Sequence, residues 1–294
     1  MMIELEFVNA KNVSMNAIYN SYMTLTAVDQ LHGVDNEYST STSPYFDGDY
    51  VNHTRTSPRT ITLTYALKTP IEESLNYFNS IVKSKQKATL IETKEDGTQI
   101  KIEGIVTVPP YTRWSDTCAI QIQMYCSKPY WKDVQAIVED ISNIINLHYF
   151  PFESVEALQN LDGGLAFVES GIPFGLIDIN ATKGFTNNGT KAVGMIIEIV
   201  ALATVTNPRI SKVNSQDNEF IGVNMTLTAG DWIRINTNKG EKSVTNADGE
   251  IYNEVVYSGN DWLQLDTGYN ELSVTSDEGT GNMYFTIYFN QEWQ

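Results

Sequence analysis

The chain has 294 residues, of which 41% are hydrophobic, and it carries a net charge of −17. This length favours two domains over one, and the 16 tyrosines, 11 phenylalanines and 5 tryptophans exclude a disordered protein. The negative charge argues against sequence-specific binding of nucleic acid, because a phosphate backbone would be repelled over most of the surface.

Two segments bear on targeting and on membranes. The first residues lack the basic stretch and apolar run of a secretory signal, so we expect a protein that is made and kept in a cytoplasm. The longest apolar stretch, residues 193–205, contains Glu198 and is too short to cross a bilayer. We therefore expect no membrane span.

A strand followed by a helix is the first strong pattern. In residues 60–67 apolar residues alternate with threonines, which predicts a half-buried antiparallel strand. Thr69 and Glu72 fit a capping box and Pro70 fits the first helical position, so a helix should follow. The apolar stripe of this helix consists of Ile71, Leu75, Phe78 and Val82. The lysines that suit the negative end of its dipole are Lys83, Lys85 and Lys87.

A hairpin and a strand with two cysteines complete the first half. Residues 89–92 and 99–103 flank Glu95-Asp96-Gly97, a turn that tolerates left-handed backbone. Cys118 and Cys126 should share the buried face of one strand, roughly 26 Å apart, which is too far for a disulfide. We interpret them as reduced core residues.

The second half begins with an ambiguous stretch. Residues 133–147 have apolar residues at helical spacing, but many of them are β-branched, so both a helix and an extended chain remain possible. Beyond residues 150–152, short strand patterns alternate with glycine turns. The predicted strands are residues 195–202, 220–227, 232–237, 262–265, 271–275 and 283–289. Such spacing predicts a β-sandwich, with the C-terminus held in a sheet.

Three separated stretches resemble the phage distal tail protein family. Residues 45–67, YFDGDYVNHTRTSPRTITLTYAL, look like the glycine, arginine and alternating strand of the family's N-terminal ring-forming domain. Residues 118–131, CAIQIQMYCSKPYW, look like the end of that domain. Thr206-Asn207-Pro208, LTAGDWIRINTNKG, NDWLQLDTGYNEL and the closing aromatic strand are similar to its C-terminal galectin-like sandwich. The order and spacing of these stretches cover nearly the whole chain.

The resemblance implies a mainly β fold with a minor α component. Residues 1–132 would form an N-terminal ring-forming domain that carries one helix. Residues 133–150 would be a connector, and residues 151–294 a galectin-like β-sandwich.

The resemblance also implies a function and partners. The chain would be a structural component of a phage or phage-derived tail tip or baseplate, in a homo-hexameric ring of about six copies in which each subunit offers two different faces. The ring would join the tail tube protein to a tail-associated hub or lysin protein, with receptor-binding proteins attached to the second domains. The protein would be located at the virion tail tip and assembled in the host bacterial cytoplasm.

Four charged residues that precede residues 60–67 are candidates for a ring interface. Arg55 and Arg59 flank a turn and could bridge subunits through carboxylates, or they could be solvated arginines at a sheet edge. Asp47 and Asp49 belong to an acidic loop that could hold calcium, but the spacing of an EF-hand is missing. We expect no metal here.

The tryptophans of the second half suggest an alternative function. Trp232, Trp262 and Trp293 could stack on sugar rings, but tryptophans on such strands more often pack a core, which is our interpretation. The alternative to a structural role is a carbohydrate-binding adhesion module that contacts saccharide on the host surface. A galectin-like fold alone does not transfer sugar binding.

Motifs of catalytic sites are missing from the sequence. We find no Gly-x-Ser-x-Gly, no His-Glu-x-x-His and no Gly-rich phosphate loop that ends in Lys-Ser or Lys-Thr. The three histidines, His32, His53 and His148, are scattered. We therefore expect neither enzyme activity nor a cofactor.

Overall fold

The computed structural model describes residues 4–45, 47–113, 118–142, 144–146, 175–177, 182–213, 219–258 and 262–294. The chain divides into two units. The first consists of Met1–Ala136, Gly189–Lys191 and Asn290–Gln294, and the second of Ile137–Asn188 and Ala192–Phe289. Both consist mainly of strands, which confirms the expected mainly β fold class. Within the described ranges, no helix is long and apolar enough to span a membrane.

The first unit contains one antiparallel sheet of nine strands and a separate pair of strands. The strands are β1 (Glu4–Asn9), β2 (Ser14–Asn16), β3 (Met23–Asp29), β4 (Asn36–Thr42), β5 (Asp49–Thr56), β6 (Arg59–Leu67), β7 (Lys87–Thr93), β8 (Gln99–Thr107), β9 (Ala119–Cys126), β10 (Trp131–Asp133) and β26 (Glu292–Trp293). The large sheet runs in the order β2-β1-β7-β8-β9-β6-β3, and β10 pairs with both β8 and β26. The separate pair is β4 with β5.

Alternating side chains build the core of the first unit. On β6, Ile61, Leu63 and Tyr65 are fully buried, whereas the threonines between them are half-buried. β9 lies antiparallel to β6, with Leu63 opposite Ile122, which is also fully buried. The strand predicted at residues 60–67 is therefore present, and its apolar face is the core face.

The helix α1 (Ile71–Ile81) forms where it was predicted, but its N-terminus differs. Pro70 has an extended backbone and stands before the helix, and no side chain caps the first turn. The predicted capping box is wrong because Thr69 lies one residue too far from the first amides. The Ser74 hydroxyl instead donates a 2.7 Å hydrogen bond to the Lys68 carbonyl oxygen. At the other end, the Lys83 ammonium donates to the Asn79 carbonyl oxygen.

The hairpin of β7 and β8 has the predicted turn. The Thr98 amide donates to an Asp96 carboxylate oxygen at 2.9 Å, and Gly97 has a φ of +84°. A side chain other than hydrogen is disfavoured at that φ, which explains the glycine. The two strands pair from Lys87 opposite Ile105 to Thr93 opposite Gln99.

Both cysteines are free and buried in the first unit. Burial raises the pKa of the Cys126 thiol to about 11, an effect that the charge of Arg59 opposes. Since the thiolate is the reactive form, we expect iodoacetamide at pH 8 to alkylate Cys126 in the folded protein on the order of a hundredfold more slowly than in the unfolded chain. Mass spectrometry of timed samples measures this rate. Equal rates in the folded and unfolded chains would contradict the buried position.

The C-terminus returns to the first unit. β26 pairs with β10, with Trp131 opposite Trp293 and Lys132 opposite Glu292. The Gln291 amide donates to an Asp133 carboxylate oxygen at 2.8 Å. The expectation of a C-terminus held in a sheet is therefore met, although by a strand that the sequence did not predict.

The second unit is a sandwich of two antiparallel sheets. Its strands are β11 (Ile137–Ser142), β12 (Ile144–Asn146), β13 (Gly175–Ile177), β14 (Thr182–Asn187), β15 (Ile196–Ala201), β16 (Val205–Thr206), β17 (Arg209–Lys212), β18 (Phe220–Val223), β19 (Thr226–Leu227), β20 (Trp232–Asn236), β21 (Ser243–Asn246), β22 (Gly249–Glu250), β23 (Val255–Ser258), β24 (Gly268–Thr275) and β25 (Met283–Phe289). One sheet runs β11-β25-β15-β20-β21-β22 and the other β14-β24-β17-β18-β23, while β12 pairs with β13 and β16 with β19 in two separate two-stranded sheets. Buried residues of both sheets, among them Ile197, Phe285, Ile210 and Val274, form one hydrophobic core.

The structure resolves the ambiguous stretch and corrects one strand. Residues 137–142 and 144–146 are strands, so the connector is extended and not helical in this part. Residues 147–150, and the predicted start of the second domain beyond them, lie outside the described residues. The strand predicted at residues 262–265 is wrong, because only Leu265 makes a bridge there, opposite Val193.

Candidate functional site

A two-stranded hairpin of the first unit is the candidate functional site. We call β4 and β5, with the described residues 43–45 and 47–48 between them, the arm. β4 and β5 pair with each other from Asn36 opposite Thr56 to Thr42 opposite Asp49. Every residue of both strands is exposed except the half-buried Thr56. An isolated two-stranded hairpin is only marginally stable in water. The exposure of both strands therefore indicates that the arm packs against another surface.

Aromatic side chains of the arm support this interpretation. Tyr38 is 62% exposed and Tyr50 is 59% exposed, and Val51 of the same strand is also exposed. Exposed tyrosines are enriched at protein interaction sites. The arm therefore offers apolar contact area that its own unit does not bury.

Hydrogen bonds fix the segment that leads into the arm. Residues 31–35 precede the arm and Ser57 follows it, and we call these residues the arm base. The Trp131 indole nitrogen donates to the Leu31 carbonyl oxygen at 2.9 Å, and the Arg59 guanidinium donates to the Gly33 carbonyl oxygen at 2.7 Å. The Ser57 amide donates to the Asp35 carbonyl oxygen at 2.8 Å. These bonds hold the arm at a defined place on the sheet.

Arg55 pairs within the arm itself. Its Nε and Nη2 each lie 2.6 Å from Oε2 of Glu37, and the Ser57 hydroxyl donates to Oε1 at 2.9 Å. The Arg55 hydrogen bond is the main reason why the pKa of the exposed Glu37 carboxyl lies below its usual value. Whether Arg55 also contacts another subunit stays a prediction.

Arg59 is not a solvated edge residue. It is only 4% exposed, and its guanidinium carbon lies 5.9 Å from the centroid of the Trp131 ring. Burial lowers the pKa of Arg59, and its Nε and Nη2 make no hydrogen bond within the described residues. The interpretation as a solvated arginine is therefore wrong, since β6 carries Arg59 into the interior beside the arm base.

Asp47 and Asp49 lie at the turn end of the arm, and we call Asp47, Gly48 and Asp49 the arm tip. Both aspartates are exposed, and the Thr42 hydroxyl donates to Asp49 Oδ1 at 3.0 Å. The register places this end away from the pair of Glu37 with Arg55. Among the described residues, no group of three or more metal-binding side chains occurs. The structure thus brings Asp47 together with Asp49, and both arginines lie towards the base.

The tryptophans of the second half occupy different environments. Trp262 belongs to the sandwich core and packs near Tyr252 and Tyr257. Trp232, by contrast, is 41% exposed on the outer face of its sheet, so its interpretation as a core residue is wrong. Trp293 is half-buried, and the Lys94 ammonium nitrogen lies 4.2 Å from the centroid of its ring. Sugar stacking by Trp232 or Trp262 stays a prediction.

The sequence interpretation missed the arm. Its strands are exposed on both faces, so they lack the alternation that reveals a half-buried strand. The available signal was composition, because threonine and tyrosine are frequent in residues 36–56 and flank Asp47-Gly48.

A family model for the siphovirus-type tail component, C-terminal domain, matches residues 188–293. No curated protein matches the sequence of this chain. Its fold is similar to that of phage SPP1 Dit (gp 19.1), described as a hub of the adsorption apparatus of phages that infect Gram-positive bacteria, with a TM-score of 0.65 and 10% identity over 99% of both chains.

Two further likenesses are to chains of the phage P2 baseplate in its activated conformation. The TM-scores are 0.45 with Ca and 0.43 with Sr, at 11% and 10% identity over 98% of this chain and 98% of each of those chains.

The family match and the shared fold confirm two sequence predictions. The resemblance to the phage distal tail protein family is confirmed, and so is a structural role in a tail tip or baseplate. The alternative, a saccharide-binding adhesion module, is not favoured.

Proposed function

We propose that the chain is a ring subunit at the tip of a phage or phage-derived tail. The first unit forms a closed homo-hexameric ring, in which the arm of each copy contacts the neighbouring copy. The ring joins the tail tube protein to a tail-associated hub or lysin protein and to host-recognition proteins. The observation that carries the proposal is an arm whose two strands are exposed although its base is anchored.

A closed ring requires two different contact faces on each subunit. The arm supplies one face, since its tyrosines give it contact area and the arm base fixes its position on the sheet. The body of the first unit supplies the other. Covering the arm with a neighbouring copy removes exposed apolar surface from water, which stabilises the assembly.

The remaining assignments complete the proposal. Residues 1–132 form the ring domain, residues 133–150 the connector, and residues 151–294 a galectin-like sandwich to which receptor-binding proteins attach. The protein acts without enzymatic activity, cofactor or metal. It resides in the virion tail tip after assembly in the host bacterial cytoplasm.

Ring formation can be tested by light scattering after size-exclusion chromatography. We expect the unchanged protein to have a mass close to six times the 33.0 kDa of one chain. The double variant Tyr38→Ser with Tyr50→Ser should lose most of this assembly, because it removes apolar contact area from the arm but no core contact.

A matched control is Tyr269→Ser, which changes a tyrosine that is 70% exposed in the second unit. It should leave the mass unchanged. An unchanged protein that elutes as a single chain at high concentration would contradict the proposed function. An arm variant that keeps the full mass would exclude the arm as the contact.

A further inference from the structure

The first unit carries an exposed group of lysines. Lys11, Lys83, Lys85 and Lys87, which we call the lysine patch, are all exposed. The chain has 19 basic residues against 36 acidic ones, so carboxylates are abundant. Nevertheless, none of these four lysines has an ion-pair partner in the described part of the chain.

Asn9 brings the two segments of the lysine patch together. It lies opposite Ala88 at the end of the pairing of β1 with β7. Its side-chain nitrogen donates to the Ile81 carbonyl oxygen at 2.9 Å, and its side-chain oxygen accepts from the Lys11 amide at 2.9 Å.

A second strand fixes the segment between the helix and β7. The Lys85 amide donates to the Val106 carbonyl oxygen at 2.7 Å, and the Val106 amide donates to the Gln86 carbonyl oxygen at 2.9 Å. Lys85 has a φ of +67°, a conformation that is uncommon for lysine. The lysine patch is therefore built on a backbone with defined contacts at one end of the sheet.

The arm tip has the opposite charge. Residues 36–56 contain Glu37, Asp47, Asp49 and Arg55 as their charged residues at neutral pH. Arg55 neutralises Glu37 at the base, so the net negative charge of the arm lies at Asp47 and Asp49. No ion pair to either aspartate occurs within the described residues.

We propose that the arm tip of one copy docks on the lysine patch of the neighbouring copy. This inference rests on the proposed ring and names the second face of its contact. The arm tip and the lysine patch are two different groups of residues on one chain, so pairing them between copies generates the head-to-tail contact that a ring needs. Complementary charges of this kind set orientation and association rate, and salt screens them.

Charge reversal on either side tests the pairing in the full chain. The patch variant is Lys83→Glu with Lys85→Glu and Lys87→Glu, and the tip variant is Asp47→Lys with Asp49→Lys. Each should raise the protein concentration at which half of the chains are assembled by about tenfold or more at low salt. In the chain that carries the patch and the tip substitutions together, this concentration should return to within about threefold of its value for the unchanged protein, because opposite charges face each other again.

A mixture of the two variants gives a sharper test. In an alternating ring the patch of one variant meets the reversed tip of the other, and every contact again pairs opposite charges. Light scattering should therefore show the ring mass in an equimolar mixture but much less of it in either variant alone. Lys239→Glu, at an exposed lysine of the second unit, serves as the control and should leave assembly unchanged.

The outcomes separate this inference from the proposed function. If the unchanged protein does not assemble, the proposed function fails. If it assembles and neither reversal changes its assembly, the docking of tip on patch is wrong while the ring stands. If the reversals weaken assembly but neither the combined chain nor the mixture recovers it, the pairing is also wrong. If the patch variant assembles normally but no longer binds a purified tube or hub protein, the lysine patch serves that partner instead.

Circular dichroism melting verifies that each variant is folded.

Discussion

Replacing Trp131 with alanine is expected to lower the free energy of unfolding of the first unit by about 3–5 kcal/mol. Trp131 is fully buried, and among the described residues it is the largest of the fully buried side chains. The replacement leaves a cavity and removes the partner of the Leu31 carbonyl oxygen. It also removes the ring that lies next to the Arg59 guanidinium.

Hydrogen exchange measured by mass spectrometry can assign this loss to the first unit. Protection of peptides from β7, β8 and β9 should fall. Trp232→Ala is the matched control, since that side chain is exposed and its loss should cost less than about 1 kcal/mol. Similar losses for the two variants would contradict the buried position of Trp131.

Removal of residues 290–294 is expected to destabilise the first unit by at least about 2 kcal/mol. The truncation deletes β26, and with it the pairing of Trp293 with Trp131. It also deletes Glu292, whose carboxylate lies 3.0 Å from the Lys132 ammonium and 3.4 Å from that of Lys191. The half-buried Asp133 loses the hydrogen bond from the Gln291 amide.

Urea unfolding followed by hydrogen exchange measures the effect of the truncation. Deletion of Gln294 alone is the control, because it removes only a 3.2 Å hydrogen bond to the Thr190 hydroxyl. A first unit that keeps its stability without residues 290–294 would show that β26 contributes little. A fragment of residues 1–132 should show the same defect, since it also lacks β26.

The first half of the fold could largely be read from the sequence. Strands such as β6 and β9 are buried on one face only, so their apolar residues alternate. The Asp96-Gly97 turn could be predicted because an Asp side chain accepts a hydrogen bond from the backbone two residues on and Gly tolerates a positive φ. The capping box was wrong because the same residue types also occur where the chain enters a helix in extended form, as at Pro70.

Short strands of the second half carried much weaker signals. β17 and β21 have four residues each, which is too few to establish a period. β26 has two residues, and its pairing with β10 depends on segments far apart in sequence. Such pairings follow from tertiary contacts and not from local propensity.

The candidate site was only partly accessible to sequence reasoning. Arg55, Asp47 and Asp49 were selected, and the structure places all of them on the arm. Arg59 was expected at the surface, but β6 begins at Arg59, and the alternation of the strand places Arg59 on the same buried face as Ile61. The lysine patch was interpreted only as a complement to the helix dipole, since its link to Lys11 depends on Asn9.

Electron micrographs of the isolated full chain, negatively stained, test the central claim most directly. The account predicts closed rings of uniform diameter with an open axis, and their loss in the double variant Tyr38→Ser with Tyr50→Ser. Fields of single chains, or of open filaments that never close, would contradict it.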